Sequence, residues 1–391
     1  MEDRTRAYLR GRFRDFYRRH APSLPPRPDE REWGYVPFTE GPDSTMIRHR
    51  SQLDLGDLET FLARERPRHV YYSAGYYDDP SARTMGEKGW RGSDLVFDID
   101  ADHLPDLDPA AATYREMLVA GKDSLERLLD LLTRDFGFSD LELAFSGGRG
   151  YHVHVRDDAV RSLEREQRRE IVEYVRGHGV DLESLLEEET VGGRGRKTPT
   201  SRRTLSTTGG WGRRVVDRID ALVDDLLEMD EEAAVAHLTE LEGVGEKSAN
   251  AVLQVVRNNT DQVRAGNVDV HPAFLPVARG LVERTVEDEA AYIDEPVTTD
   301  THRLIRLPGT LHGGTGLVVT PLEPADLADF DPLSDAIPET FRGHEIAVEV
   351  GEETALYLDG ETRIVSPGRK TLPEYAGVFL MARGQAEKAR E

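Results

Sequence analysis

The chain has 391 residues, 74 acidic side chains against 50 basic ones, a formal charge of −24 and no cysteine. The missing cysteines exclude disulfides, thiolate zinc sites, iron–sulfur clusters and cysteine nucleophiles, so any metal must be held by oxygen or imidazole, and Mg²⁺ or Mn²⁺ lead. The 38% hydrophobic content suffices for packed cores, no stretch approaches the roughly 18–20 apolar residues of a membrane helix, and the first ten residues lack the apolar centre of a secretory signal; a cytoplasmic protein is expected, with no membrane partner.

The elements follow in chain order. Tyr8, Leu9, Phe13, Phe16 and Tyr17 share one face at helical spacing and predict an amphipathic helix, broken by Pro22, Pro25, Pro26 and Pro28. Residues 45–77 mix short strand-like runs with a helix around 55–65. Residues 86–92 read as a glycine-rich loop and 94–100 as a strand. A helix over 109–136 ends at Gly137. Strands at 141–145 and 151–155 flank Ser146-Gly147-Gly148-Arg149-Gly150. Residues 159–290 are mainly helical, with a break at 191–214. Strand-like text returns at 304–306, 317–319, 345–350 and 354–358, and a helix near 373–389 follows.

This order, α/β then helical then α/β, predicts one mixed α/β (α+β) catalytic domain carrying an inserted helical subdomain. The expected boundaries are 1–156 and 291–391 for the two catalytic parts and 157–290 for the insert. The break at 191–214 carries Arg194, Arg196, Lys197, Arg202, Arg203, Arg213 and Arg214 and no acid. It reads either as a phosphate-contacting strip or as a linker balancing Glu187 to Glu189. Gly243-Val244-Gly245 resembles the turn of helix-hairpin-helix modules, where backbone N–H groups approach a phosphate; a plain helix–helix turn explains it equally. Only six of the 50 basic residues are lysine, and an acidic, lysine-poor surface fits a protein kept soluble in concentrated salt.

Three constellations carry chemistry. Asp98 and Asp100 leave the same face of a strand. Two carboxylates side by side repel, and apolar neighbours favour a cation between them. In the glycine loop, backbone N–H groups, the Ser146 hydroxyl and the Arg149 fork can take phosphate oxygens, with His152 following on the strand. The third block runs from Asp294 and Asp300 through Arg303 and Arg306 to His312 beside a glycine-rich turn: carboxylates, then cations, then imidazole. Together these describe phosphoryl or nucleotidyl transfer. A Walker A sequence, the kinase signature set and a GxSxG elbow are absent.

Tyr71-Tyr72-Ser73, Leu95-Val96-Phe97-Asp98-Ile99-Asp100, the block from Ser146 to Val155 and the block from Arg303 to Gly316, in this order and spacing, resemble the catalytic small subunit of archaeal–eukaryotic DNA primase. The acidic surface makes it resemble a halophilic archaeal version. The resemblance implies a primase-type catalytic domain with an inserted helical subdomain. It implies that Asp98, Asp100 and Asp294 bind the catalytic metals, Asp294 fitting better than Asp300. It implies that Ser146, Arg149, His152, Arg306, His312 and Arg48 contact the nucleotide phosphates. Its partners would be a primase large subunit, a single-stranded DNA template and nucleoside triphosphates. The family's small Cys/His zinc motif has no counterpart in residues 103–124, so bound zinc is not expected. The expected activity is template-directed synthesis of short primers by two-metal-ion nucleotidyl transfer. The alternatives are a repair primase-polymerase of the end-joining type and a non-catalytic nucleic-acid-binding subunit.

Overall fold

The computed structural model describes residues 1–22, 24–38, 45–105, 107–108, 111–191 and 200–390. The chain divides into two compact units: residues 1–126, 138–172 and 292–391 form a mixed α/β unit, and residues 127–137 and 173–291 a mainly helical one. Residues 157–172 thus cluster with the α/β unit. Arg168 accounts for this: fully buried, it donates to the carbonyls of Ser93 and Asp94 and to the Ser93 hydroxyl.

In the α/β unit, strands β1 (Trp33–Val36), β2 (Ile47–Arg50) and β3 (His69–Ser73) join Leu304–Arg306 in an antiparallel sheet, spatial order 304–306, β3, β1, β2. A hairpin of β4 (Gly75–Tyr77) and β5 (Trp90–Ser93) replaces the expected glycine-rich loop. The second sheet contains β6 (Leu95–Asp100), β7 (Leu141–Phe145) and β8 (Gly150–Val155), ordered Thr320–Leu322, β7, β8, β6.

Alternation explains β6. Leu95, Phe97 and Ile99 are fully buried, while Val96, Asp98 and Asp100 leave the other face. Val96 packs there with Ala74, Val297 and Ile305, which draws the helix Glu295–Thr299 and the strand Leu304–Arg306 onto the aspartate face. The register places His152 opposite Asp98 and Gly150 opposite Asp100. Position 150 must be glycine: a Cβ there would lie 1.6 Å from the Ile99 carbonyl oxygen.

The expected helix near 373–389 spans only Glu374–Ala382; Gly384 (φ +75°) turns the chain into the strand Ala386–Lys388. That strand joins Glu345–Val350 and Gly368–Pro373 in a third sheet. The expected strand at 317–319 lies instead at Thr320–Leu322, with Val318 forming a single bridge to Leu311. The helix expected over 109–136 runs Tyr114–Asp130 and widens into a π turn at Leu131–Asp135.

The helical unit is built on Gly210–Glu228, whose Val215, Ile219, Leu222 and Leu226 repeat at helical spacing and are buried against Glu246–Asn258 and Phe274–Glu289. The break expected at 191–214 is partly a hairpin of Leu186–Val191 and Thr200–Leu205, which sets Arg202 and Arg203 opposite Glu189 and Glu188. Arg203 pairs with Asp269, Arg213 with Asp217, and buried Arg214 with Asp130, Asp135 and Glu289. Internal carboxylates therefore neutralise Arg203, Arg213 and Arg214; Arg194, Arg196 and Lys197 lie outside the described residues. Gly243 (φ +76°) and Gly245 turn the chain between Glu231–Thr239 and Glu246–Asn258, with Leu241 and Val244 buried. Among the described residues, no helix is long and apolar enough to cross a membrane.

Candidate active site

One cleft of about 510 Å³ in the α/β unit is lined by Asp98, Asp100, Asp294, Ser146, Arg149, His152, Arg306, His312 and Arg48. Every residue that the family resemblance assigned to metal or nucleotide phosphate therefore lines the same space, whereas the described residues of the basic strip at 191–214 and the turn at 243–245 do not. Four separate parts of the chain supply them.

The acidic part is β6 and the start of Glu295–Thr299. The Asp294 N–H donates to the Asp98 carbonyl at 2.8 Å, which fixes Asp294 beside the strand pair. Burial raises the Asp98 carboxyl to about 6, with Asp100 and Asp294 adding to the rise and Arg306 and Arg303 opposing it. Three carboxylates thus crowd a poorly solvated face. Among the described residues, no three His, Asp or Glu side chains close tightly enough to hold a metal ion by themselves; the acidic face is open to the cleft. Asp300 also lines the cleft, and its carboxylate accepts the His302 N–H at 2.9 Å, a turn-forming bond.

The glycine loop is the second part. The Ser146 N–H donates to the Gly150 carbonyl at 2.9 Å, and the Gly148 N–H to the Ser146 hydroxyl at 3.2 Å. Gly147 has φ +72°, and a Cβ there would lie 2.6 Å from that of His312, so the close approach of loop and histidine requires glycine. Tyr114 donates its hydroxyl to the Gly148 carbonyl. Arg149 forms an ion pair with Asp102 at the cleft edge.

The third part is cationic and aromatic. His312 Nδ1 is 3.1 Å from the Thr315 hydroxyl, which in turn donates to the Gly147 carbonyl at 2.6 Å. His69 lies edge-on to His312, with ring centres 4.8 Å apart, and its Nδ1 receives the Gly313 N–H at 3.4 Å. Arg306 lies 5.8 Å from the centre of the Tyr71 ring. Arg306 Nε and His152 Nδ1 are buried without a hydrogen-bond partner. His152 Nε2 is 3.5 Å from Asp98 Oδ1.

Burial first, then the Arg306 charge, holds His69, His152 and His312 well below the ordinary imidazole range. Three neutral imidazoles thus surround a guanidinium, a wall rich in hydrogen-bond donors. Arg48, on β2, is tethered to Glu32, with Nε 3.1 Å from Oε1. Sequence reading did not assign a role to His69, His302 or Glu32; no local motif marks them, and strand pairing brings them to or behind the cleft.

Paired strand aspartates facing donors suited to a polyphosphate define an enzyme that transfers nucleotidyl groups. The profile of the DNA primase small subunit family matches residues 97–324. Over 391 residues, all of both chains, the sequence is 63% identical to the DNA primase small subunit PriS of Halobacterium salinarum. It is 58% identical over 392 residues to that of Haloarcula marismortui, again covering both chains. To that of Methanothrix thermoacetophila it is 42% identical over 402 residues, spanning 99% of this chain and all of the relative. The chain belongs to the DNA primase small subunit family.

Proposed function

We propose that this chain makes short primers on a single-stranded DNA template, with Asp98, Asp100 and Asp294 holding divalent cations and Ser146, Arg149, His152, Arg306, His312 and Arg48 holding the incoming triphosphate. The convergence of all nine side chains on one cleft carries the reading. The donor set fits a hard cation: three carboxylates, two of which add to the raised proton affinity of buried Asp98, and no thiolate in the chain. An open acidic face also suits Mg²⁺ or Mn²⁺. Mg²⁺ keeps several waters and takes one or two carboxylates together with substrate phosphates, not a closed protein cage. Bound there, such ions lower the pKa of an attacking hydroxyl and offset charge on the leaving pyrophosphate.

The protein's own groups orient the substrate. Loop N–H groups and Ser146 cradle phosphate oxygens, while Arg306 and Arg149 supply forked donors. Neutral His152 and His312 donate hydrogen bonds without adding charge. Arg149 must exchange Asp102 for phosphate. The partner we infer is a large subunit, supported by relatives that are named small subunits and match end to end. The same end-to-end match favours primer synthesis over end-joining repair, and the complete acidic and cationic set disfavours a non-catalytic subunit. A cysteine-free chain can form no thiolate zinc site.

The test is synthesis on single-stranded DNA in concentrated KCl with labelled ribo- and deoxyribonucleotides and Mg²⁺ or Mn²⁺. Products made without an added primer, and lost in an Asp98→Asn/Asp100→Asn protein that still folds, are expected. Unchanged synthesis by that variant would refute the assignment.

A further inference from the structure

Arg48 owes its direction to a defect in the β1–β2 ladder. Trp33 pairs with Arg50, but Tyr35 pairs with Ile47. Two steps along β1 therefore span three along β2, and β2 carries one extra residue. His49 takes up the excess with φ +59°, a left-handed conformation that persists in a non-glycine residue only when its surroundings hold it. Such a bulge re-aims the neighbouring side chain, and here that side chain is Arg48 in the cleft wall.

Glu32, the residue before β1, holds the bulge. It is fully buried. Its Oε1 accepts the His49 backbone N–H at 3.1 Å and Arg48 Nε at 3.1 Å. Its Oε2 accepts Lys88 Nζ at 2.7 Å and lies 3.4 Å from Arg48 Nη2. Lys88 is also fully buried, donates to the Pro80 carbonyl at 2.8 Å and sits 4.9 Å from the centre of the Tyr77 ring. Neither Glu32 nor Lys88 lines the cleft. A buried ion pair contributes little net stability relative to apolar packing, so what it fixes geometrically is its more telling property.

We propose that the buried Lys88–Glu32 pair is a positioning device for the nucleotide: it locks the β2 bulge and presents Arg48 to the triphosphate. Lys88 occupies one carboxylate oxygen. Arg48 is therefore tethered through Nε at 3.1 Å and more loosely through Nη2 at 3.4 Å, and its Nη1 is left for phosphate. The inference rests on the reading of Arg48 as a triphosphate contact.

A mutant cycle tests it, read by calorimetric titration of the full chain with MgATP in concentrated KCl and by thermal unfolding. Glu32→Gln with Lys88→Met removes both charges together and strands neither. This paired change and Arg48→Ala should each weaken MgATP about tenfold, or about 1.4 kcal/mol. The triple variant should bind no more weakly than Arg48→Ala alone. Wild-type affinity in the paired variant, or losses that multiply in the triple, would overturn the inference, because a merely structural role acts equally with or without Arg48. Should the paired change fail to fold, Glu32→Asp replaces it, with the same expectation and the same refutation. Asp98→Asn runs alongside. If its Mg²⁺-dependent binding falls while the paired variant's does not, the positioning role alone fails. If neither it nor Arg48→Ala affects binding, the reading of the cleft fails and takes the inference with it.

Discussion

The backbone N–H of Asp294 is hydrogen-bonded to the carbonyl oxygen of Asp98 at 2.8 Å. Residues nearly two hundred positions apart are thus joined through main chain, and their side chains need no contact of their own to stay together. That frees the carboxylates to face the cleft. Replacing either carboxylate should therefore spare the fold and remove the activity. Asp98→Asn and Asp294→Asn are each expected to lower primer synthesis by at least about a hundredfold, the scale of losing a principal electrostatic group. In metal-free protein, Asp98→Asn should also raise Tm, because it removes a carboxylate whose ionised form burial and neighbours disfavour. Thermal melts in a chelator, beside steady-state kinetics, check both.

Gly150 and Gly148 should respond differently to the same change. A Cβ at Gly150 meets the Ile99 carbonyl oxygen at 1.6 Å, whereas at Gly148 the nearest atom is His312 Nε2 at 3.4 Å. Gly150→Ala is expected to break the β6–β8 ladder beside Asp98 and Asp100 and to cost at least about 3 kcal/mol. Gly148→Ala should fold normally. Denaturant unfolding separates the two.

Asp94 gives a pH prediction. Its buried carboxylate meets Arg31 at 2.9 Å, the Tyr76 hydroxyl at 2.6 Å, Arg156 Nε at 3.4 Å and His154 Nδ1 at 3.6 Å. Burial alone would raise its pKa, but His154, Arg31 and Tyr76 overcome that and hold the carboxyl well below the usual range. A depressed carboxylate stabilises the fold above its unfolded pKa of about 4, and that contribution is lost as pH falls further. Asp94→Asn should cost about 3–5 kcal/mol at pH 7, the scale of breaking a buried pair. The gap to wild type should narrow steadily below about pH 4. Urea unfolding across pH measures it.

Arg306 is expected to serve substrate binding more than folding. It is flanked by three neutral histidines, and its Nε has no hydrogen-bond partner. Arg306→Gln should weaken triphosphate binding about tenfold or more with little change in Tm. Titration with MgATP and a thermal melt would show it.

Net charge governs the response to salt. At −24, self-repulsion opposes compactness until ions screen it, and the screening length falls from about 10 Å at 0.1 M to about 3 Å at 1 M. Tm should rise steadily with KCl over that range. A falling Tm would contradict the reading of the surface.

Much of the site was legible in the sequence because it is local. Alternation in 95–100 and the glycine loop between two strands are short-range signals, and their residues meet where expected. The support behind them is not local. Glu32 and Lys88 are 56 positions apart and look like ordinary surface charges until β1 and the β4–β5 hairpin bury both. The arginines at 213–214 read as free cations because their partners include Asp130, Asp135 and Glu289. Past 382, the apolar run of Glu374–Ala382 gives way to a Gly384 turn and a strand; pairing with Glu345–Val350 overrides the helical pattern.

The first helix, Asp3–Tyr17, bonds to partners made very late. Its Thr5 hydroxyl meets Glu387, Tyr8 meets Glu374, and Arg12 bonds to Glu374 and the Thr340 carbonyl. Asp294, Arg306 and His312 likewise follow the helical unit in the chain. On the ribosome, therefore, the two aspartates of β6 and the glycine loop emerge long before the residues that complete the cleft. The nascent α/β unit must wait through the synthesis of more than a hundred intervening residues with these polar groups of its opening helix still lacking their late partners, although Phe13 already has Phe38 to pack against. The proposed triphosphate site is therefore complete only near the end of translation.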